Sequence, residues 1–420
     1  MVFEVRPPAE AVSRTRPGQA QSVGEDKSGF ANPFRAERLG NFMPFLWYGI
    51  RFREWREMLA EGHYRITLNR LPNVLGVTLL TALSAVFSRL SDLIYARRAA
   101  SIAIVPPVFV LGHWRSGTSF LHNLFCCDPR LAYPTTYQCS FPSGFLVTEK
   151  VLGWMVAPFL PARRPMDDLP VGRDAPFEDE FALAKLGAGS PYMNLAFPRE
   201  GPRHTRFLDF VGTTQAEKAR WREVFLWFMR RLQIAYPGRR LILKSPPHTA
   251  RIAILLKLFP EARFVHISRN PFEVYASTYR MWKIVNSRVA LQNPPQDEPW
   301  LGEYVLSALS RMYDAYQRDL AAVPPGRLVE IRYEDLVENP VQVLGEVYRG
   351  LGLGDFAVAK KAIEAYLSGL GPHKARSYRI TRAEREAILD RWSFYFERFG
   401  YDKGGPGDPE PRRREALAES

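Results

Sequence analysis

Cysteine is scarce in this chain: Cys126, Cys127 and Cys139 are the only three in 420 residues, and two of them are adjacent. No disulfide framework follows, and the thiols are expected to pack as small apolar residues in a reducing, cytoplasmic compartment. Cysteine and histidine nowhere fall at zinc-ligand spacing. The apolar run Val74 to Phe87 is shorter than the roughly 20 residues that span a bilayer, and Thr78, Thr81 and Ser84 interrupt it. It reads as a packed helix; the alternative is a helix lying on a membrane surface, because Arg89, Arg97 and Arg98 follow it. Internal repeats, a recognisable RNA-binding motif and a concentrated basic arm are also missing. The net charge of +13 therefore points to anionic ligands or surfaces, and nucleic acid is not expected as a partner.

With 46% hydrophobic residues the chain can build a large core. Residues 1–34 mix Pro, Gly, Ser and charge without apolar periodicity or the layout of a signal peptide, and read as a disordered tail. Residues 35–100 read as a helical N-terminal segment packed on the core, 101–402 as the main domain and 403–420 as a flexible tail. Within the main domain, short apolar runs alternate with helical patterns: VFVL at Val108, LILK at Leu241, ARFVHIS at Ala262 and LVEI at Leu328 read as strands, the last followed by a turn, RYEDLVENP. Helices are expected from Thr118, over Trp221 to Tyr236, after SPPH, after SRNP, from about Val341 to Leu351 and over Ile380 to Phe399. Repeated strand-loop-helix units imply a parallel sheet covered on both faces, an α/β three-layer fold. Tyr133 to Pro202, rich in Pro, Phe and Tyr, has few periodic stretches and reads as acceptor-binding or covering structure.

The chain is organised around PPVFVLGHWRSGTSFLHNLF, Pro106 to Phe125. A buried strand, a polar turn and a helix follow one another there. The turn aims the free N–H groups and positive dipole end of the helix at one point, which favours phosphate or sulfate. Arg115 adds a full charge, and Ser116, Thr118 and Ser119 add hydroxyls around Gly117. The Walker pattern G-x-x-x-x-G-K-[ST] is matched at Gly112, Gly117 and Ser119, but Thr118 stands where the phosphate lysine belongs, which disfavours a kinase or NTPase.

Two further strands end in cations. Lys244 closes LILK ahead of Ser245-Pro246-Pro247-His248, where ligands collect in open α/β sheets, while His248 reads equally as a helix cap or a ligand contact. Arg269 follows FVHIS, and Ser277 lies eight positions on, in the next helix. An arginine fork with a hydroxyl beside it suits a terminal phosphate. Glu178, Asp179 and Glu180 form an acidic group at the start of a short helical pattern; Glu178, on the face of Ala182 and Lys185, is the expected general base. The same acids would also suit the helix dipole.

Taken together, RSGTS, LKSPPH, SRNPFEVYAS and RYEDLVENP resemble, in order and spacing, the PAPS-dependent sulfotransferases, in the Arg-Ser-Gly-Thr form of the bacterial branch related to tyrosylprotein sulfotransferases. The resemblance runs from about Asn32 to Tyr401. It implies a P-loop-like α/β fold, PAPS as sulfuryl donor with PAP as product, and no catalytic metal. Arg115, Ser116, Gly117, Thr118 and Ser119 would hold the 5′-phosphosulfate, with Arg115 also serving the chemistry, and Arg269 with Ser277 the 3′-phosphate. Lys244 would contact the sulfuryl or leaving oxygen, and Lys374 and Arg376, in HKARSY, would reach phosphate. Sulfuryl would pass to a hydroxyl on a small-molecule, glycan or lipid acceptor; the alternative is a noncatalytic nucleotide- or membrane-surface-binding protein of the same fold. One departure stands out. The catalytic glutamate of tyrosylprotein sulfotransferases, counted from RSGT, falls near Thr135, where this chain has no carboxylate.

Overall fold

The computed structural model describes residues 46–156, 172–295, 298–370 and 380–404, all within the unit Phe42–Ser420. Its centre is a five-stranded parallel sheet of β1 (Val108–Leu111), β2 (Leu131–Ala132), β3 (Arg240–Lys244), β4 (Arg263–Ser268) and β5 (Leu328–Arg332), in the order β2-β3-β1-β4-β5. The central three strands are continuous apolar runs because a parallel sheet is buried on both faces. Their side chains alternate: Phe109, Leu111, Leu241, Leu243 and Phe264 join one core cluster, and Val108, Val110, Ile242, Val265 and Ile267 the other.

Around the N-terminal half of the sheet lie α1 (Phe52–Glu61), α2 (Leu71–Ser101), α3 (Thr118–Cys126), α4 (Thr136–Ser140), α5 (Phe145–Val156), α6 (Asp179–Lys185) and α7 (Gln215–Ala235). The C-terminal half adds α8 (Ile252–Leu258), α9 (Pro271–Val289), α10 (Pro299–Leu320), α11 (Tyr333–Glu338), α12 (Pro340–Leu351), α13 (Ala357–Gly369), α14 (Arg382–Arg391) and α15 (Ser393–Phe399). Buried residues of α3, α12 and α13 cover the Val108 face; those of α7, α8, α9 and α10 cover the Phe109 face. Helix, sheet and helix make the three layers expected.

Several elements differ from the sequence reading. RYEDLVENP, taken as a turn, forms α11, whose first turn holds Glu334 and Asp335 where the helix dipole favours acids. The late helix is split into α14 and α15 at Trp392, which is fully buried and donates from Nε1 to the Leu306 carbonyl at 3.0 Å. α10 was not expected at all. Val74 to Phe87 lies mostly in the first half of a 31-residue helix, α2, and only one of its faces is packed.

Three histidines are buried without charge: His113 in the loop after β1, His122 on α3 and His266 on β4. Burial lowers each to about 3, with the charge of Lys244 adding to the effect at His122 and that of Arg398 at His266. Below pH 6.5 the unfolded chain therefore takes up protons that the folded chain refuses, so their contribution to stability is complete above pH 6.5 and is lost as pH falls toward 3. Each should cost about 1 kcal/mol per pH unit in that window. Calorimetric melting between pH 7.5 and 4.5 should show this steep loss, and His266→Gln should flatten it. A melting temperature that is level from pH 6.5 to 4.5 would rule this account out.

Candidate active site

The loop between β1 and α3 sits at the carboxyl end of the central strand, where the chain order reverses and ligands bind in open α/β sheets. Gly117 has φ +101°, and a Cβ there would lie 2.3 Å from the Tyr333 ring, so only glycine fits. Behind it, the amides that open α3 have no partner one turn back and face out of the helix end. Thr118 and Ser119 stand at this end. Ser116 does not contribute a ligand hydroxyl as expected: it is fully buried, and its Oγ donates to the His113 carbonyl at 2.8 Å, closing the turn.

β3 lies on one side of this loop and β4 on the other, so the two strand-end cations flank it. Lys244 shares the face of Ile242, the face that α3 covers, because side chains alternate along a strand. Its Nζ donates to Ser119 Oγ at 3.2 Å and to Glu178 Oε1 at 2.5 Å. Lys244 is nearly buried and Glu178 largely so. The other carboxylate oxygen, Glu178 Oε2, accepts from the Tyr192 hydroxyl, which itself accepts from Trp114 Nε1 at 3.0 Å. Burial first, and then the Glu178 charge, push the Tyr192 hydroxyl well above its ordinary range, so it stays a donor.

The other two acids face away from this cluster. Asp179 Oδ2 meets His248 Nε2 at 2.7 Å and its Oδ1 accepts from Ser245 at 2.8 Å, with all three side chains buried. Burial alone would raise the Asp179 carboxyl, but the charge and hydrogen bonds of His248 and Ser245 bring it below its usual range. Glu180 is held by Arg251 at 2.6 and 3.1 Å, again fully buried. His248, read from the sequence as a cap or a ligand contact, instead lies edge-on to Phe109 behind the site.

Thr135, where the resemblance would place a glutamate, pairs across an antiparallel bridge with Pro176, and Phe177 N donates to the Pro134 carbonyl at 3.0 Å. The facing segment thus supplies Glu178 two residues beyond the bridge. Thr135 itself caps α4 and donates to Glu149 at 3.3 Å.

Across the loop a second group forms. Arg115 has a left-handed backbone, φ +68°, and its Nε donates to Ser277 Oγ at 2.9 Å. Arg269 donates to the Arg115 carbonyl at 3.1 Å, pairs with Glu273 and lies 4.3 Å over the Tyr333 ring. Arg115 was placed with the 5′-phosphosulfate group and with catalysis; its guanidinium is instead turned to Ser277. Tyr192 and Tyr333 were not foreseen, since nothing in their spacing links them to the loop, and Trp114, although inside the loop, was not singled out. Lys374 and Arg376 lie outside the described residues.

A parallel α/β sheet whose central strand leads through a glycine turn into an open helix end, with a cation at the end of each neighbouring strand, has the architecture of the phosphate-loop-like proteins. The chain belongs to the sulfotransferase family, whose model matches residues 106–357. It is 34% identical over 374 residues, 88% of this chain and 93% of the relative, to the omega-hydroxy-beta-dihydromenaquinone-9 sulfotransferase Stf3 of Mycobacterium tuberculosis, and equally to that of Mycobacterium bovis. Among solved structures it resembles sulfotransferase STF9 from Mycobacterium avium, with a TM-score of 0.62 and 20% identity over 83% of this chain and 92% of that one. Sulfotransferase STF1 from Mycobacterium tuberculosis is similar at a TM-score of 0.56 and 17% identity, over 82% and 92%. The two structures share the fold, and the curated relative extends the family assignment over most of the chain. The protein is a sulfotransferase.

Proposed function

We propose that this protein transfers a sulfuryl group from PAPS to the hydroxyl of a lipid-like acceptor, with Glu178 as general base. The observation that carries the reading is the contact of Glu178 with Lys244 beside Ser119, at the open end of α3. It puts a carboxylate, a cation and unpaired amides around one point. The acceptor oxygen would form its bond to sulfur as the bond from sulfur to the 5′-phosphate oxygen breaks. The acceptor proton would pass to Glu178, and the charge growing on the leaving oxygen would be met by Lys244 and the α3 amides. Donor binding offers Lys244 an anionic partner in place of Glu178, which leaves that carboxylate, still held by Tyr192, for the acceptor.

Arg115, Arg269 and Ser277 fit the 3′-phosphate on the opposite side of the loop. This moves Arg115 from the chemistry to donor recognition. An apolar acceptor is favoured by the rings adjoining Glu178: Phe181 lies 4.5 Å from Tyr192, Trp114 6.2 Å from Tyr192 and Trp282 5.6 Å from Trp114, centroid to centroid. The 34% identical relative bears the name of an omega-hydroxy-beta-dihydromenaquinone-9 sulfotransferase, which supports a lipid-like hydroxyl acceptor. Incubation with labelled PAPS and a mixed library of lipid alcohols, phenols and sugars tests the acceptor class; label confined to sugars would refute it.

Donor reading has its own test. PAP should bind far more tightly than AMP or ATP, and Arg269→Ala should weaken PAP at least tenfold, the loss of a charge-assisted phosphate contact of roughly 1.5 to 3 kcal/mol. Titration calorimetry measures both. Equal affinity for PAP and AMP would sink the assignment of this subsite.

A further inference from the structure

α2 is apolar on the face that a helix on the surface of a globular protein turns to water. Its 31 residues run about 46 Å at 1.5 Å per residue. One face is fastened to the protein. Val74, Val77 and Thr81 are buried, Trp55 Nε1 donates to Thr78 Oγ1 at 2.9 Å, Asp92 pairs with Arg231, and Phe87 packs beside Gly144 of the turn before α5. The opposite face should be polar. Instead Leu75, Leu79, Leu83, Val86, Leu90 and Leu93, spaced four, four, three, four and three residues apart, form a single stripe, each between 43% and 84% exposed. A contiguous apolar stripe of this length is an interaction surface rather than scatter.

We infer that this face of α2 docks the protein in the plane of an anionic phospholipid membrane, without spanning it. The segment Leu68–Ser101 is long enough, and contains an apolar enough stretch, to cross a membrane, but a crossing helix would have to leave the Trp55, Arg231 and Gly144 contacts that hold its other side. Charge selects the occupant. Arg89, Arg97 and Arg98 are exposed on the helix, and its one acid, Asp92, is already paired. Anionic headgroups would meet these arginines while the leucines enter the acyl boundary. A second copy of the chain would bring the same cations and no unpaired acid on α2 to meet them. Docking stands on this helix alone; its use, bringing the site to an acceptor held in the bilayer, rests on the lipid-acceptor reading above.

The test is flotation of the full chain with vesicles of phosphatidylcholine containing a minority of phosphatidylglycerol, against vesicles of phosphatidylcholine alone. Wild type should float with the anionic vesicles and be released by carbonate. The triple variant Leu75→Gln, Leu79→Gln, Leu83→Gln alters only exposed side chains to another good helix former, so its melting temperature should be unchanged while its vesicle partition falls at least tenfold. Its turnover of a short water-soluble alcohol should equal that of wild type, and its turnover of a long-chain alcohol carried in vesicles should fall with the partition. Absence of flotation, retention after carbonate, equal flotation of the triple variant, or a wild-type dimer that the triple variant dissolves would each overturn the docking. Flotation without sulfuryl transfer to any acceptor would support the docking and refute the acceptor reading. Normal turnover of the vesicle-borne alcohol by protein that does not float would do the reverse.

Discussion

Glu178→Gln should leave PAP affinity unchanged and lower turnover roughly 10²- to 10⁴-fold, the loss expected for a general base. Glutamine keeps the size of the side chain and one oxygen to accept from Lys244 or Tyr192. What it loses is a site of proton uptake. The expectation is specific to this residue because its neighbours are already committed: Asp179 to His248 and Ser245, Glu180 to Arg251, all buried. Asp179→Asn and Glu180→Gln should therefore show themselves in folding before they show in chemistry. Steady-state rates with several acceptors, beside calorimetric PAP binding, make the measurement. Near-normal turnover with every acceptor would show that Glu178 is not the base; with Asp179 and Glu180 committed to other partners, Glu149, bonded to Thr135, would be the next to change.

The sheet was legible because each principal strand is a run of four to six residues, mostly apolar, that stops at a polar turn, and the cations ending β3 and β4 followed from those stops. Helix starts were also written in the chain: Thr214 and Glu217 form a reciprocal cap that opens α7 six residues before the expected Trp221. α10 carries the helical signal plainly, at Leu301, Val305, Leu309, Met312 and Tyr316. The side-chain directions were less accessible. Glu178 was placed on a helical face, but it precedes α6 as the N-cap with extended backbone, ψ 123°, so helical spacing does not govern where it points. Arg115 likewise leaves the loop through a left-handed residue that local pattern does not announce. The Trp114–Tyr192 contact joins residues 78 positions apart, and the Lys244–Ser119 contact joins residues 125 apart; only the folded chain brings them together. The leucines of α2 show a helix, yet periodicity alone does not tell a face turned to the core from one turned outward.

Lys244→Met should slow turnover by about 10²- to 10³-fold, comparable to removing one donor from a preorganised anion hole, and by a different route from Glu178→Gln. Methionine fills the lysine's space on the strand but brings no charge to the leaving oxygen. It leaves Glu178 in place, still held by the Tyr192 hydroxyl, to take the acceptor proton. The defect should therefore lie on the donor side of the reaction. Alcohols of graded fluorination separate the two. A more acidic hydroxyl needs less help in losing its proton, so it should partly rescue Glu178→Gln, whereas the charge building on the departing phosphate oxygen is unchanged and Lys244→Met should gain little. Equal rescue of both variants would mean that Lys244 serves mainly to position Glu178, and the assignment of the lysine to the leaving oxygen would have to be abandoned.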